Sequence, residues 1–466
     1  MVNYMLSWQK GAVLTNRSEK KLYAGAGSAE VVFSPEFFPV EGFDGIHDNP
    51  HVRILIIDGD IRIAFVACEL VVVAKPFVES IKKIINEVAG IGNGNIWVHG
   101  THAISTPHAP GPKPIGPPEL RRQPTEEEKL KRGIFTDALN KAAREAAEKA
   151  VKAMARCRLG FGRGECDVNI STRELDRRRG MLADTEGIDF CDKILKVLKF
   201  EKEDDTPAAI VLNYNLMSNT IDNSEMDKNT RKVSSDVPGK ACALLEEKYG
   251  VPVLFFMAAG ADQKPKEQAL YFEQNEAGER VQIDKGVEYG LQLVEKYGSE
   301  MAAAAEGIIE NTLCDEESPL ITTANSSVAV KNRPRGGKPG EGPKGPGGPG
   351  KGSGPEGKPA GQGGPGKPQQ GPPGGDVSEI SVLAARIGDI GLIGTNPELC
   401  SATKAELEEK SPFKETLLIS FTDGPKGIMA DKTSFERGCP EGRGSFAEEG
   451  SAEKFVETAV KVLEIL

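Results

Sequence analysis

The chain reads as an α/β protein with mixed or mostly parallel sheets and flanking helices. Three observations carry that reading. Apolar strand-like runs alternate with amphipathic helical stretches through most of the 466 residues. Several of those strands empty into loops of Gly, Ser, Thr, His and Asp, the usual arrangement at the sheet edge of an α/β fold. The composition, 27% charged and 38% hydrophobic, is that of a globular protein with room for one large α/β domain or two ordinary ones.

Leu22–Pro35 predicts an opening strand and turn. Its Gly25-Ala-Gly27 pair is half of a dinucleotide fingerprint, but the second half is missing and no helix follows, so that reading is set aside. A turn-rich loop, Gly42–His51, precedes strands Val52–Ile57 and Ile61–Val66, joined by the hairpin signal Asp58-Gly59-Asp60. Glu69 follows as a carboxylate at a strand end, either functional or merely solvated. Lys75–Val88 places Phe77, Ile81, Ile84, Ile85 and Val88 at helical spacing and closes at Gly90.

The stretch Asn95–Gly111 is the richest in chemistry. It begins as a strand (Ile96, Trp97, Val98) and carries His99, His102 and His108, three of the five histidines, within ten residues. Neutral imidazole serves both as metal ligand and as acid/base near neutral pH, whereas histidines in a loop can equally hydrogen-bond locally. The spacings match no standard zinc signature. After a Pro-rich loop at 107–118, Thr125–Ala155 predicts a long helix with Thr125 as its N-cap. Residues 158–172 and 193–200 predict strands, separated by Asp176-Arg177-Arg178-Arg179, a basic run that is either a solvated face or a carboxylate clamp.

Ala208–Tyr214 predicts a buried strand, followed by a polar loop and by Ser234-Ser235-Asp236, which opens a helix through Tyr249 and has the residue types of a cap. The strand Val251–Met257 empties into the Gly/Asp loop Ala258–Pro265, and residues 283–311 predict helix. Order returns with strands at Ile380–Ile387 and Ile390–Gly394, the latter leading into Asn396-Pro397-Glu398. A short helix at Thr403–Glu409, a strand at Thr416–Phe421 and a terminal helix at Glu453–Leu466 complete the series.

Between these lies 331–375, mostly Gly, Pro and Lys, which lacks the apolar surface to offset chain entropy and predicts a disordered insertion. Residues 1–330 and 376–466 together are then one α/β catalytic domain. The net charge of −11 argues against broad nucleic-acid binding. No window predicts a membrane span. The first residues lack the pattern of an export signal, and the eight cysteines include no CxxC pair, so they read as reduced thiols of a cytoplasmic protein.

In order along the chain, Ala24–Pro35, Ile46–Arg53, Ala64–Leu70, Asn95–Gly111, Asp176-Arg177-Arg178, Val233–Gly239, Ala258–Pro265 and Asn396-Pro397-Glu398 resemble the signature segments of the neutral/alkaline (non-lysosomal) ceramidase family. The resemblance spans nearly everything outside the Gly/Pro insertion. It implies a ceramidase catalytic-domain-like fold, amide hydrolysis, and Zn2+ bound through His102 and Glu398. The departures fall on the chemistry. Met217 and Ile428 stand at two further family zinc positions, and Lys264 stands where the family carries its nucleophilic serine. The second histidine of the family's paired motif is absent, the chain running instead to His108, and the family's C-terminal immunoglobulin-like domain and secretion signal have no counterpart.

A rebuilt zinc set would then be His102, His108 and Glu398, since His99 and His102 point to opposite faces of an extended chain and Met217 is too soft a replacement. Catalysis falls to Ser235, Asp236 and His108 with a water or the serine as nucleophile, and substrate binding to Arg177, Arg178 and Asp262. The expected function is hydrolysis of a non-peptide C–N bond in a small or N-acylated substrate. Two alternatives stand beside it. One is a metal-free isomerase, lyase or hydrolase acting on a small carboxylate metabolite by His acid/base chemistry. The other is a binding protein without activity.

Overall fold

The computed structural model describes residues 18–111, 122–182, 190–333 and 377–466. The Gly/Pro/Lys segment beyond Arg333, the outer part of the Pro-rich loop and the N-terminal residues lie outside the described residues. The first half comprises β1 (Tyr23–Glu30), β2 (His51–Asp58), β3 (Arg62–Cys68), α1 (Lys75–Ala89), β4 (Ile96–Gly100), α2 (Glu126–Lys152) and β5 (Ala155–Glu165). Then come α3 (Thr172–Arg178), β6 (Ile194–Lys202), β7 (Pro207–Tyr214), α4 (Asp236–Tyr249), β8 (Val253–Met257) and α5 (Val287–Asn311). The remainder is β9 (Cys314–Glu316), β10 (Ile321–Lys331), β11 (Val377–Ile387), β12 (Ile390–Gly394), α6 (Ser401–Lys410), β13 (Glu415–Ile419) and α7 (Ser451–Leu463).

A nine-stranded sheet runs in the order β8-β7-β6-β5-β1-β2-β3-β4, with β9 on the side of β5. Of its pairings only β3–β4 and β7–β8 are parallel. The sheet is therefore mixed: short turns join β2–β3 and β6–β7 antiparallel, and helices α1 and α4 cross over between the parallel partners. A second sheet, β10-β11-β12-β13, pairs antiparallel except between β12 and β13.

Alternation along the strands explains the layering. On one face of the large sheet Val52, Ile54, Ile56, Ala64 and Val66 pack against Phe77, Ile81 and Ile85 of α1 and Leu139 and Ala143 of α2. At the other end of that sheet Val197, Ile210 and Leu212 meet α4 and α5. The intervening residues (Leu55, Ile57, Phe65, Trp97, Val211 and Phe256) point the other way and meet Ile387, Leu392, Leu417 and Ile419 of the second sheet. Phe455 and Val456 of α7 cover the far side of that sheet. The order of layers is helix, sheet, sheet, helix.

Several predicted bounds shift. The long helix stops at Lys152 because residues from Ala155 onward enter the sheet edge at Leu22 and Tyr23. Arg280–Asp284 is a strand, paired with Leu270–Gln274 in a hairpin that sequence reading missed, and α5 starts only at Val287. At 331–333 the predicted insertion is still strand and bridge, paired through Lys331 with Val377. The Gly25 and Gly27 pair has a packing reason. A Cβ at Gly27 would lie 2.1 Å from the Ala146 carbonyl oxygen, so α2 rests directly on the β1 backbone.

Candidate active site

The loops leaving β4, β7, β8, β12 and β13 meet at one end of the sandwich, and buried polar side chains tie them together. Asn213 at the end of β7 donates to the carbonyls of Phe256 (3.0 Å) and Leu418 (2.8 Å), fixing β8 and β13 on either side. His99 does the same with both ring nitrogens: Nδ1 lies 2.6 Å from the Ser420 carbonyl oxygen and Nε2 accepts the Met257 N–H at 3.1 Å. Burial lowers its proton affinity to about 3, so it is a neutral crosslink between three strands.

His102, three residues on, is held differently. Its backbone takes φ 61°, and its ring lies 4.6 Å from that of Phe421, itself at φ 47°. Left-handed backbone is uncommon in histidine and rarer in phenylalanine, and such positions gather where surrounding contacts impose an orientation. The Nδ1 bonds the Val71 carbonyl oxygen at 2.8 Å, which directs Nε2 at Glu398, 3.9 Å from its Oε1. Burial holds His102 down at about 4. The side chains are 12% and 3% exposed, and Glu398 Oε1 is buried without a hydrogen-bond partner.

Burial and then the neighbouring Asp262 push Glu398 up to about 8, so at neutral pH a protonated carboxyl faces a neutral imidazole. Gly260 permits this approach: a Cβ there would stand 3.0 Å from Glu398 Oε1 and 2.6 Å from Met257 Sδ. Neither of the two open surface hollows, one lined by Ser28, His51 and Lys149 and one by Ser171, Cys191 and Lys266, includes this pair.

The other positions marked by the resemblance also converge here. Glu398 pairs in register with Ile428, and the Met217 N–H donates to the Gln263 carbonyl at 2.9 Å, beside Lys264. Among these positions only His102 and Glu398 supply metal donors. His108 sits on the rim, 47% exposed, with Nδ1 3.0 Å from Glu41 Oε2. Among the described residues no group of three or more His, Cys, Asp or Glu side chains is placed to hold an ion. Two donors fall short of the three that a catalytic zinc takes, so the residues present do not fit that metal.

Four more expectations meet a different arrangement. Arg177 and Arg178 are 47% and 60% exposed, and both bond the one carboxylate of Glu174 at 2.7 Å, on the surface rather than beside His102 or Glu398. Asp262 is fully buried, accepts from the Ser401 N–H (2.8 Å) and hydroxyl (2.6 Å) at the start of α6, and so anchors a helix instead of a substrate. Ser235 donates its hydroxyl to Glu69 at 2.9 Å, and its N–H goes to Asp48. Asp236, raised to about 6 by burial, accepts the Thr220 N–H at 2.9 Å and positions the neighbouring loop.

Glu69 is not solvated. It is buried against Arg53, and His51 Nδ1 lies 3.2 Å away. Sequence reading missed the buried cluster around Arg173, which faces Asp262, Asp431 and Glu441 and joins α3 to the segment after β13. No motif announces it, because its members come from four separate stretches.

No protein-family model matches the sequence, and no curated protein is similar to it. Solved structures are. A ceramidase described as complexed with C2 superposes with a TM-score of 0.67 at 13% identity, over 96% of this chain and 75% of that one. The neutral ceramidase from Pseudomonas aeruginosa gives a TM-score of 0.67 at 14% identity, with the same coverage. At that identity the likeness is one of fold, and the ceramidase-like architecture expected from the ordered segments is borne out.

Proposed function

We propose that the protein hydrolyses a C–N (amide) bond in a small or N-acylated substrate, with His102 and Glu398 as the acid/base pair. The observation that carries this reading is the 3.9 Å approach of His102 Nε2 to an unpartnered, buried Glu398 oxygen. A buried polar atom without a partner is costly to keep, and a bound molecule that bonds it removes the cost. The fold shared with ceramidases agrees with the reaction class.

The chemistry follows from the two protonation states. His102 Nε2, with Nδ1 hydrogen-bonded to Val71, offers a lone pair to a water. The water oxygen forms a bond to the amide carbon while its proton passes to Nε2. The C–N bond breaks as Glu398 gives its proton to the leaving nitrogen, and the imidazolium then returns a proton to Glu398. Water is the nucleophile in this reading because the Ser235 hydroxyl donates to Glu69, a carboxylate that Arg53 and His51 make too weak a base to activate it. Among the described residues that hydroxyl has no bond to His102 or Glu398. No step passes through a metal.

A screen of N-acyl amino acids, simple amides and lactones with the purified chain tests the reading. Amide turnover should fall by about two to four orders of magnitude in His102→Ala and in Glu398→Gln. Full activity in either variant overturns the assignment. Ser235→Ala should keep turnover within roughly threefold, whereas a hundredfold loss with intact binding would give the attack to that hydroxyl.

A further inference from the structure

Lys264, on the strand that follows the Gly260 loop, is a cation beside this site that the reaction above does not use. It lies at the centre of the short strand Gln263–Pro265, pinned antiparallel to Asn169–Ser171 with Lys264 opposite Ile170. Among the described residues its ammonium has no hydrogen-bonded or ion-paired partner, though it is half-buried. Yet three carboxyls feel it: Glu398, Asp176 and Asp222 all have their proton affinity lowered by Lys264 against the effect of burial. Backbone geometry places its strand beside the acid/base pair: the Ala261 N–H donates to the Leu399 carbonyl at 3.2 Å, the Gln263 N–H to the Gly260 carbonyl at 3.1 Å, and Gly260 lies against Glu398.

The surroundings are more cationic than the three carboxyls suggest. Asp176 is shared with Arg179, Arg443 and Arg280 as well as Lys264. Asp222 is offset by Arg231. Arg179 is half-buried, with its guanidinium 4.4 Å above the Tyr271 ring and bonded to Gln268 Oε1 at 3.3 Å. The hairpin that carries Tyr271 holds the Arg179 carbonyl through the Gln274 N–H at 2.8 Å, so this cation is fixed on a built wall. Half-buried Met217, Asp176, Arg179, Asp222 and Lys264 among buried neighbours mark the opening.

We infer that the site selects an amide substrate bearing an anionic group, a carboxylate close to the scissile bond, which Lys264 holds with Arg179 alongside while His102 and Glu398 face the amide. The inference rests on the hydrolase reading for the bond cleaved, but not for the charge recognised. A half-buried ammonium without a partner among the described residues gains a charge-assisted bond from such a ligand and nothing comparable from a neutral one.

Isothermal titration of the whole chain with N-hexanoylglycine and N-hexanoylglycinamide, which differ only in that carboxylate, tests this. The acid should bind about tenfold more tightly, as one charge-assisted contact allows. In Lys264→Gln the ratio should fall close to one, and in Lys264→Arg a preference for the acid should remain. Equal affinities in the unaltered protein, no binding of the acid at millimolar concentration, or a ratio unchanged in a folded Lys264→Gln variant each overturn the inference. If the Gln variant unfolds, as its circular dichroism would show, the ratio in the unaltered protein decides. Product assays on the same pair separate the two readings. Tight binding of the acid without cleavage overturns the hydrolase and leaves the anion site. Cleavage of both compounds with equal affinity does the reverse.

Discussion

His99 and His102 stand three residues apart and do opposite work. Both are buried and neutral, but His99 has both nitrogens occupied by backbone, whereas His102 leaves one directed at a carboxyl. Strand alternation does not separate them, because His102 lies beyond the end of β4 and takes left-handed backbone; the loop sets its direction. Local spacing could not pair His102 with a residue nearly 300 positions later, and only the ordered resemblance singled out Glu398. His108 misled for a related reason. Sequence proximity suggested a loop folding back, whereas Glu41 Oε2 takes both the backbone N–H and the Nδ1 side of His108.

Glu69 was legible only as a carboxylate at a strand end, because its partner Arg53 reaches it across the β2–β3 pairing. Burial alone would raise its pKa, but Arg53 and His51 outweigh burial and hold it at about 2, from an ordinary 4.5. A carboxyl depressed in the folded state contributes stability above its unfolded pKa, and that contribution fades as pH falls toward the folded value. Its size at neutral pH is about 3 kcal/mol. Glu69→Gln should lower the unfolding free energy by about that much at pH 7 and by roughly half of it at pH 3. Urea denaturation at the two pH values checks this, and a penalty independent of pH contradicts it.

At the scale of elements, apolar periodicity gave α1 nearly to the residue, with Phe77, Ile81 and Ile85 inward and Gly90 closing the helix in left-handed geometry. It failed at α2, where Phe135, Leu139 and a run of alanines are the buried apolar residues, so the helix end carried no strong apolar signal. Those alanines and the glycines of β1 are two halves of one contact. Small residues on both sides bring a helix backbone onto a strand backbone, which no motif in β1 alone could announce. Gly27→Ala should therefore separate α2 from β1 at a cost of about 1–3 kcal/mol, the usual range for overpacking. A thermal midpoint within a degree of the parent would show that the contact is looser than 2.1 Å implies. The same change at Gly92, where an added Cβ meets nothing, supplies the control.

For the whole molecule, the two sheets share one apolar layer, so the site is assembled from ends of both, and neither sheet alone carries His102 with Glu398. The Gly/Pro/Lys run interrupts this plan at one place only, between β10 and β11. Its flanks are already joined: the two strands pair over eleven consecutive positions, ending at Lys331 opposite Val377. A chain leaving one strand and re-entering its antiparallel neighbour at the same level needs only a short turn. Residues 334–376 replaced by an Asn-Gly turn should then leave the second sheet intact. Shortening the connection removes closure entropy, which grows only as the logarithm of length, so the gain is on the order of 1–2 kcal/mol. The expected result is an unfolding midpoint equal to or slightly above that of the full chain, with amide turnover preserved. A fall of several degrees would mean that the segment packs on the domain after all, and lost turnover with unchanged stability would place part of it at the site.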